Sequence, residues 1–231
     1  MIRFRDRMAR GHTRTGTLDS RHTFSFGGYR DPGQMGFRAL RVINEDRLIP
    51  SAGFATHAHQ NMEIVTYVLA GQLRHRDNLG NGSIIRAGEM QRLSAGTGVS
   101  HSEFNASAGE PVHLLQLWII PGRMGVAPSY AQAALGDDYA GRLKLAAGPE
   151  GSAAPITLQQ DALIYLARLT AGAATSHPLA AGRGAWLQIA RGIAALNDIE
   201  MREGDGAAIE DEAEIAVEAT TDAEVLLFDL T

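Results

Sequence analysis

Two short pairs of potential metal ligands stand out in this sequence. His57 and His59 lie in "THAHQ", just ahead of an apolar run, and His101 and Glu103 lie in "SHSEFN". Side chains at positions i and i+2 of a β-strand point to the same face, about 6 to 7 Å apart along the backbone. Each pair could therefore chelate one metal ion, and two such pairs on adjacent antiparallel strands would converge on one point.

Three imidazoles and one carboxylate form a mixed nitrogen and oxygen donor set. Such a set suits Fe(II), Mn(II), Ni(II), Co(II) or Cu(II), and affinity alone does not rank these metals. Because the chain contains no cysteine, a closed structural zinc site is less expected, and any metal here must use His, Asp or Glu. Four protein ligands would leave up to two octahedral positions open for a small molecule and O2.

A single His-x-His pair is weak as a signal, because histidines are common on half-exposed strands. The second pair, preceded by the tight turn "AGTG" and followed by Asn105, makes the combination much more specific. The remaining histidines are expected to be hydrogen-bonded scaffold residues or solvated residues: His12, His22, His75, His113 and His177.

Composition limits the class of protein. The chain has 231 residues, of which 45% are hydrophobic, enough for one large all-β domain or two smaller ones. The absence of cysteine excludes disulfides and nucleophilic thiols. The start has no apolar signal-peptide region, and no run of about 18 apolar residues follows. We therefore expect a cytoplasmic protein that does not enter the membrane.

Charge is distributed unevenly along the chain. Residues 1–50 hold ten arginines and five acids (+5), residues 51–197 are nearly balanced (+1), and residues 198–231 hold twelve acids and one arginine (−11), which gives the net charge of −5. Because the arginines alternate with turns and aromatic residues in an acidic protein, nucleic-acid binding is not expected. The simpler interpretation is solvation, or an intramolecular charge match between the two ends.

Short β-rich runs recur along the whole chain and are separated by Gly, Asn, Asp and Pro. This spacing predicts an all-β sandwich or barrel. The predicted strands are Arg38 to Asn44, Ile64 to Leu69, Val112 to Ile120, Leu163 to Leu169, Ala185 to Ala190, Ile215 to Ala219 and Val225 to Leu230. One short helix is predicted within Ser129 to Leu143, after Pro128.

The segment around that helix also divides the chain. We predict an N-terminal domain over residues 1–125, a linker with the short helix over residues 126–155, and a C-terminal domain over residues 156–231. The two halves resemble each other faintly, because in each a strand ends at a glycine, Gly71 or Gly192. This pattern is typical of a duplicated β-barrel.

The pattern "HAHQNMEIVTYVLAG" followed by "GEMQRLSAGTGVSHSEFN" resembles the two cupin motifs, and in particular those of the pirin family. The segments "RHTFSFGGYRDP" and "LRHRDNLGNGSIIRAGE" match that family as well. The resemblance is strong over roughly residues 1–125 and faint afterwards. It implies a bicupin, that is, two cupin (jelly-roll) β-barrel domains in tandem.

By the same resemblance, the metal ligands fall on His57, His59, His101 and Glu103. Many other cupins take the carboxylate ligand from the position of Glu63, and spacing alone does not exclude that residue. The commoner family sequence at this point is "HPHRGFETV", and this chain has "HAHQNMEIV" in its place. We expect this difference to affect substrate preference more than metal binding. The second cupin has no counterpart to the ligands.

Bacterial pirin-like proteins include quercetin 2,3-dioxygenases, so the resemblance implies a metal-dependent dioxygenase of flavonols or similar flat enolic aromatics. In that reaction Glu103 would accept the proton of the flavonol 3-hydroxyl, and O2 would attack the activated ring. One divalent metal is implied, with Fe(II) first and Ni, Co, Mn, Cu or Zn as alternatives. The alternative function is a non-catalytic metal or redox sensor that acts in regulation through a protein partner.

Overall fold

The structure is a computed structural model in which residues 1–136 and 141–231 are described. These residues form β-strands and connecting turns, with one short 3-10 helix, Arg7–Ala9, and no α-helix. The all-β prediction is therefore confirmed. Within the described ranges, no helix has the length and apolar character needed to cross a membrane.

The strands are numbered in chain order. The first eleven are β1 (Ile2–Arg5), β2 (Gly11–Arg14), β3 (Leu18–His22), β4 (Leu40–Leu48), β5 (Gly53–His59), β6 (Glu63–Ala70), β7 (Gln72–Asp77), β8 (Gly82–Arg86), β9 (Glu89–Ser94), β10 (Val99–Asn105) and β11 (Val112–Ile119). The others are β12 (Ser129–Ala134), β13 (Lys144–Pro149), β14 (Ile156–Leu158), β15 (Ala162–Leu169), β16 (Ala174–Pro178), β17 (Gly184–Arg191), β18 (Ile193–Leu196), β19 (Ile199–Arg202), β20 (Gly206–Ile209), β21 (Glu214–Ala219) and β22 (Ala223–Leu230).

The N-terminal unit comprises Gly11–Leu135 and Ile156–Gln160. Its larger sheet has the order β12-β9-β6-β11-β4-β3-β2, and its smaller sheet has the order β5-β10-β7-β8. One buried apolar cluster joins side chains of the two sheets. Its members are Leu48, Val68, Leu73, Ile85, Val112 and Leu114.

The C-terminal unit comprises Met1–Arg10, Gly136–Pro155 and Asp161–Thr231. One of its sheets contains β1, β20, β17, β22, β15 and β13 in that order, and the other has the order β16-β21-β18-β19. Its interior is an apolar cluster built mainly from leucine, isoleucine, valine and alanine side chains. Strands β17 and β22 are buried along almost their whole length and are mainly apolar, with Gln188 of β17 and Glu224 and Asp229 of β22 as buried polar exceptions.

The first residues of the chain belong to this C-terminal unit. Strand β1 pairs with β20, with Ile2 opposite Ile209. Arg3 Nη1 lies 2.7 Å from Glu210 Oε2, and the Arg7 backbone N–H donates to Asp205 Oδ1 at 2.7 Å. These contacts join the first residues of the basic start to the acidic end, which is one of the two interpretations that the charge distribution left open.

The segment predicted as a linker with a helix differs from that prediction. Ser129–Ala134 is strand β12, and Tyr130 pairs with Leu93 of β9. Tyr130 Oη donates to Gln132 Oε1 at 3.0 Å. Side chains two residues apart therefore lie on the same face, as they do in a strand. Strand β13 also lies in the predicted linker. The remainder of the predicted helix includes residues 137–140, which lie outside the described residues.

The faint internal repeat is confirmed at equivalent turns. Gly71 has φ +75° and a Cβ there would lie 2.5 Å from the carbonyl oxygen of Pro111. Gly192 has φ +76° and a Cβ there would lie 2.1 Å from the carbonyl oxygen of Asp222. In both units a glycine with a left-handed backbone lies against the residue just before the equivalent strand, β11 or β22. Only glycine fits there without strain.

Replacing either glycine by alanine should therefore destabilise the protein. We expect Gly71→Ala and Gly192→Ala each to lower the free energy of unfolding by about 1–3 kcal/mol, measured by urea unfolding. Gly109→Ala is the control, because a Cβ at Gly109 would meet no atom within 4 Å and the residue has no positive φ. Equal stability of all three variants would contradict this account.

Candidate metal centre

The two ligand motifs lie on neighbouring strands. Strands β5 and β10 are antiparallel, with His57 directly opposite His101 and His59 opposite Val99. The register shifts between His101 and Glu103, where β5 carries one extra residue. The ring centroids of His57, His59 and His101 are 4.6 to 5.0 Å apart. The structure thus brings together the three predicted imidazoles, whose ligand atoms lie within 4.8 Å of one another.

Each imidazole is oriented by its surroundings. His57 Nδ1 lies 2.8 Å from the carbonyl oxygen of Ala55, to which it can donate its hydrogen, so Nε2 is the ring nitrogen left to bind a metal. The ring of His59 stands edge-on to Trp118, with the centroids 5.0 Å apart. His101 is 2% exposed, and neither ring nitrogen has a hydrogen-bond partner among the described residues. A buried imidazole with both nitrogens unpaired fits a metal ligand.

Two of the imidazoles, those of His59 and His101, are held in the form that binds metal. Burial, followed by the neighbouring His101 and His57 charges, lowers the pKa of His59 to about 4. Burial, followed by the charges of His57 and His75, lowers the pKa of His101 to about 3. Both rings are therefore neutral at neutral pH, and a neutral imidazole does not have to lose a proton before it coordinates a metal.

Glu103 is 1% exposed and is surrounded by hydrogen-bond donors. Its Oε1 accepts from Gln91 Nε2 and, at 3.3 Å, from Thr66 Oγ1. Its Oε2 accepts from Gln116 Nε2 at 2.8 Å. These donors belong to β9, β6 and β11, so three strands of the larger sheet orient a carboxylate that is carried by the smaller sheet.

His75 is a residue of the site that was predicted from the sequence to belong to the scaffold. It lies directly opposite Glu103 on β7, is fully buried, and forms a second potential ligand group with His101 and Glu103. Its Nε2 lies 3.1 Å from Asp77 Oδ2, and its ring stacks on Tyr130. The charged text "RHRD" resembles a turn, but Leu73 and His75 share the inward face of a strand.

Glu63, the reserve for the carboxylate ligand, lies outside both groups. On β6 it alternates with Ile64, which lines the cavity described below, so it points to the opposite face of the sheet. Its Oε2 accepts from Ser94 Oγ at 2.8 Å and from the Gln159 backbone N–H at 3.2 Å. This alternation separates Glu63 from the histidines.

The imidazoles open into a cavity of about 240 Å³ within the N-terminal unit. Small-molecule sites usually measure roughly 300–1,000 Å³, so this cavity suits one compact ligand. Its apolar walls include Phe26, Ile64 and Trp118, large side chains that would ordinarily be assigned to the core from sequence. It also contains buried Asn44 and Asp46 of β4, which carry no motif and were missed.

Asp46 has an unusual electrostatic environment. Burial raises its pKa to about 7 against a hydrogen bond from Ser20, and the nearby charges of Glu103 and Glu45 raise it further. Its Oδ1 has no hydrogen-bond partner among the described residues. The carboxyl group can therefore both donate and accept hydrogen bonds near neutral pH.

Comparison with known proteins identifies the family. The family model described as Pirin matches residues 3–119, and the model described as Quercetinase C-terminal cupin domain matches residues 145–230. A quercetin 2,3-dioxygenase of Escherichia coli K12 is 44% identical over 230 residues, which cover 100% of this chain and 99% of that protein. This chain belongs to the pirin family. The predicted tandem cupin fold is confirmed.

Other members and solved structures agree. A pirin-like protein of Caulobacter vibrioides is 40% identical over 216 residues, covering 93% of each chain. The crystal structure of YhhW from Escherichia coli superposes with a TM-score of 0.96 at 43% identity and covers 100% of this chain and 98% of that one. A second structure, bacterial pirin YhhW in complex with nickel(II), gives a TM-score of 0.94 at 43% identity, with coverage of 100% and 99%.

One difference between this chain and the common pirin sequence has a conformational explanation. Asn61 stands where that text has glycine, and its φ is +51°. Asparagine tolerates this left-handed backbone, and its Oδ1 accepts from the Gly125 backbone N–H at 2.8 Å. Gln60, Asn61 and Met62 do not line the cavity that contains the histidines. The expected effect of these residues on substrate preference is therefore not supported by direct contact.

The second cupin of this pirin has apolar residues where the first has its polar site. Counting from the equivalent Gly71 and Gly192, and following the strand register, His177 corresponds to His57. The positions of His75, His101 and Glu103 are taken by buried apolar residues. These are Leu196, Ile215 and Val217. The prediction that this half lacks the ligand set agrees with this register.

His177 is instead paired with Asp229. His177 Nε2 lies 2.8 Å from Asp229 Oδ2, and Arg183 also bonds to that carboxylate. Burial alone would raise the pKa of Asp229, but the hydrogen bonds from His177 and Arg183 outweigh burial and lower it below its ordinary value of 3.8. The ion pair therefore stabilises the fold above the pKa of the unfolded chain, and this contribution is lost as the pH falls through the lower folded value.

Asp229→Asn should remove this pH-dependent contribution. We expect the variant to lose about 3 kcal/mol of unfolding free energy at pH 7, since it leaves buried partners unpaired, and to lose less than the wild type on acidification below pH 4. Urea unfolding at pH 7 and at pH 3 measures both effects. Asp211→Asn, in an exposed turn of the same unit, is the control. Parallel acid profiles for wild type and Asp229→Asn would contradict the assignment.

Proposed function

We propose that this pirin is a metal-dependent dioxygenase that cleaves a flavonol such as quercetin with O2 into a depside and carbon monoxide. The observation that carries the proposal is the convergence of His57, His59 and His101 beside Glu103 at an aromatic-walled cavity. The 44% identity to a protein named quercetin 2,3-dioxygenase supports it over the whole chain.

In this proposal His57, His59, His101 and Glu103 hold one divalent transition metal. Fe(II) is our expectation for the metal, and the nickel(II) complex of YhhW supports a site for a divalent transition metal. The unpaired nitrogens of buried His101 support the fit. A bound divalent metal would acidify the enolic 3-hydroxyl of the flavonol and activate the ring toward O2.

Glu103 is proposed to accept the proton of the flavonol 3-hydroxyl. Its Oε1 accepts from Gln91 and its Oε2 from Gln116, while the single hydroxyl hydrogen of Thr66 is within reach of both Glu103 Oε1 and Gln116 Oε1. Each carboxylate oxygen therefore keeps a lone pair that can accept a proton. Gln91, Thr66 and Gln116 keep the carboxylate in place while the proton is transferred. Proton transfer to a base positioned in this way is worth about 10² to 10⁴ in rate.

The cavity walls would position the flat substrate and exclude water. Phe26, Ile64 and Trp118 offer apolar contact to aromatic rings. In the overall reaction both atoms of O2 enter the depside, and the ring carbon that carries the 3-oxygen leaves with it as carbon monoxide. Exclusion of water protects the activated ring from competing protonation.

The metal assignment predicts one divalent transition metal per chain in protein purified without chelators. Elemental analysis should show that His101→Ala reduces the metal content about tenfold or more, because the variant loses one of the four proposed protein ligands. The matched control is His177→Ala, a histidine of the other unit, which should keep its metal. Equal metal content in the two variants would refute the site.

Glu103→Gln should reduce kcat by about 10² to 10⁴ when measured on samples of matched metal content. Loss of the flavonol absorption band and O2 uptake with quercetin are the two readouts. Glu63→Gln is the control, since it removes a buried carboxylate of the same unit that lies on the other face of β6. No turnover by the metal-loaded wild type across a panel of enolic substrates would sink the proposal and favour the regulatory alternative.

A further inference from the structure

A block of polar side chains lines the same cavity but belongs to neither ligand group. Ser20 lies directly opposite Asp46, and His22 lies directly opposite Asn44, on the paired strands β3 and β4. All four side chains line the cavity and are 2–3% exposed. We call these four residues the polar patch.

The hydrogen bonds of the polar patch are incomplete. His22 Nδ1 lies 2.8 Å from Asn44 Oδ1, and His22 Nε2 lies 2.9 Å from Thr13 Oγ1. Ser20 bonds to Asp46, but Asp46 Oδ1 has no partner among the described residues although it is buried. A buried carboxyl oxygen without a partner costs stability, so its retention points to a ligand that completes the bonding.

The fold itself does not require polar residues at these positions. In the C-terminal unit, the register places Ala167 where Asp46 stands, since Ala167 pairs with Val225 as Asp46 pairs with Leu114. Ala167 is fully buried in the apolar cluster of that unit. The C-terminal unit, which has the same architecture, is thus filled by apolar packing at the position of Asp46. The polar patch occurs in the N-terminal unit, which has the cavity.

We propose that the polar patch is a second binding subsite that hydrogen-bonds phenolic hydroxyl groups on the substrate ring that does not carry the metal-binding oxygen. A phenolic hydroxyl both donates and accepts. It can donate to Asp46 Oδ1, which has no partner among the described residues, and accept from the side-chain N–H of Asn44, whose Oδ1 already accepts from His22. Ser20 and His22 hold these two groups in place, because their hydrogen atoms are directed at Asp46 and Asn44. The aromatic side chains that line the same cavity, Phe26 and Trp118, suit the rings. The inference rests on the proposed function and narrows its substrates to flavonols hydroxylated on the phenyl ring.

Three flavonols that differ only in phenyl-ring hydroxyls provide the test. Quercetin carries two such hydroxyls, kaempferol one and galangin none. Their dissociation constants are measured by anaerobic isothermal titration calorimetry, on metal-loaded and on chelator-treated protein, so that turnover does not contribute. We expect the wild type to bind quercetin about tenfold more tightly than galangin, with kaempferol between them.

Asp46→Leu removes the hydrogen-bonding group at nearly constant volume, and the preference for quercetin over galangin should fall to within about twofold. Glu45→Gln is the matched control, because Glu45 is a buried acid of the same strand that bonds to His113 outside the cavity; it should keep the full preference. If Asp46→Leu does not fold, Ser20→Ala gives the same readout with a smaller side chain, and a preference reduced at least threefold is expected.

An unchanged quercetin-to-galangin ratio in the folded variant overturns the inference, even if both ligands bind more weakly. Absence of any preference or of any flavonol binding in the wild type overturns it as well. The proposed function is judged separately, by turnover. Turnover without hydroxyl selectivity removes only the subsite, whereas selective binding without turnover removes only the dioxygenase activity.

Discussion

The side chain of Glu103 is a buried carboxylate on one sheet that is bonded entirely to side chains of the other sheet. These side chains lie in one row across three neighbouring strands of the larger sheet. Thr66 of β6 is directly opposite Gln91 of β9 on one side and Gln116 of β11 on the other. An unpartnered charge at this depth would cost several kcal/mol. The interior of the N-terminal unit must therefore be polar along this row, and apolar packing cannot close it.

The C-terminal unit shows what the same architecture does without that carboxylate. The row of Gln91, Thr66 and Gln116 is replaced by Ala207, Leu187 and Leu227, which keep the same cross-strand pairing. With no charge to satisfy, these side chains pack into a closed apolar core. The turns and strand order are shared, so a few inward-facing residues decide whether the unit contains a site.

The sequence predicts what depends on local spacing. The His57 and His59 pair and the His101 and Glu103 pair were recognisable because a strand places i and i+2 on one face. The position of His75 beside Glu103 depends on which strands pair, and no local pattern encodes that choice. The pairing of β1 with β20 is equally non-local, since the partners are about two hundred residues apart. The helix prediction was wrong over Ser129–Ala134, because this alanine-rich segment has helical propensity while its environment at the sheet edge favours a strand.

The geometry of the centre depends on the distance between the two sheets. The imidazoles and Glu103 belong to the smaller sheet, whereas the donors to Glu103 belong to the larger one. The apolar cluster that spans the sheets includes Leu73 from the smaller sheet and Leu114 from the larger. Close packing in that cluster holds the two sheets at a defined separation. Core packing in this unit therefore does more than stabilise the fold, because it sets the hydrogen-bond lengths that orient the carboxylate.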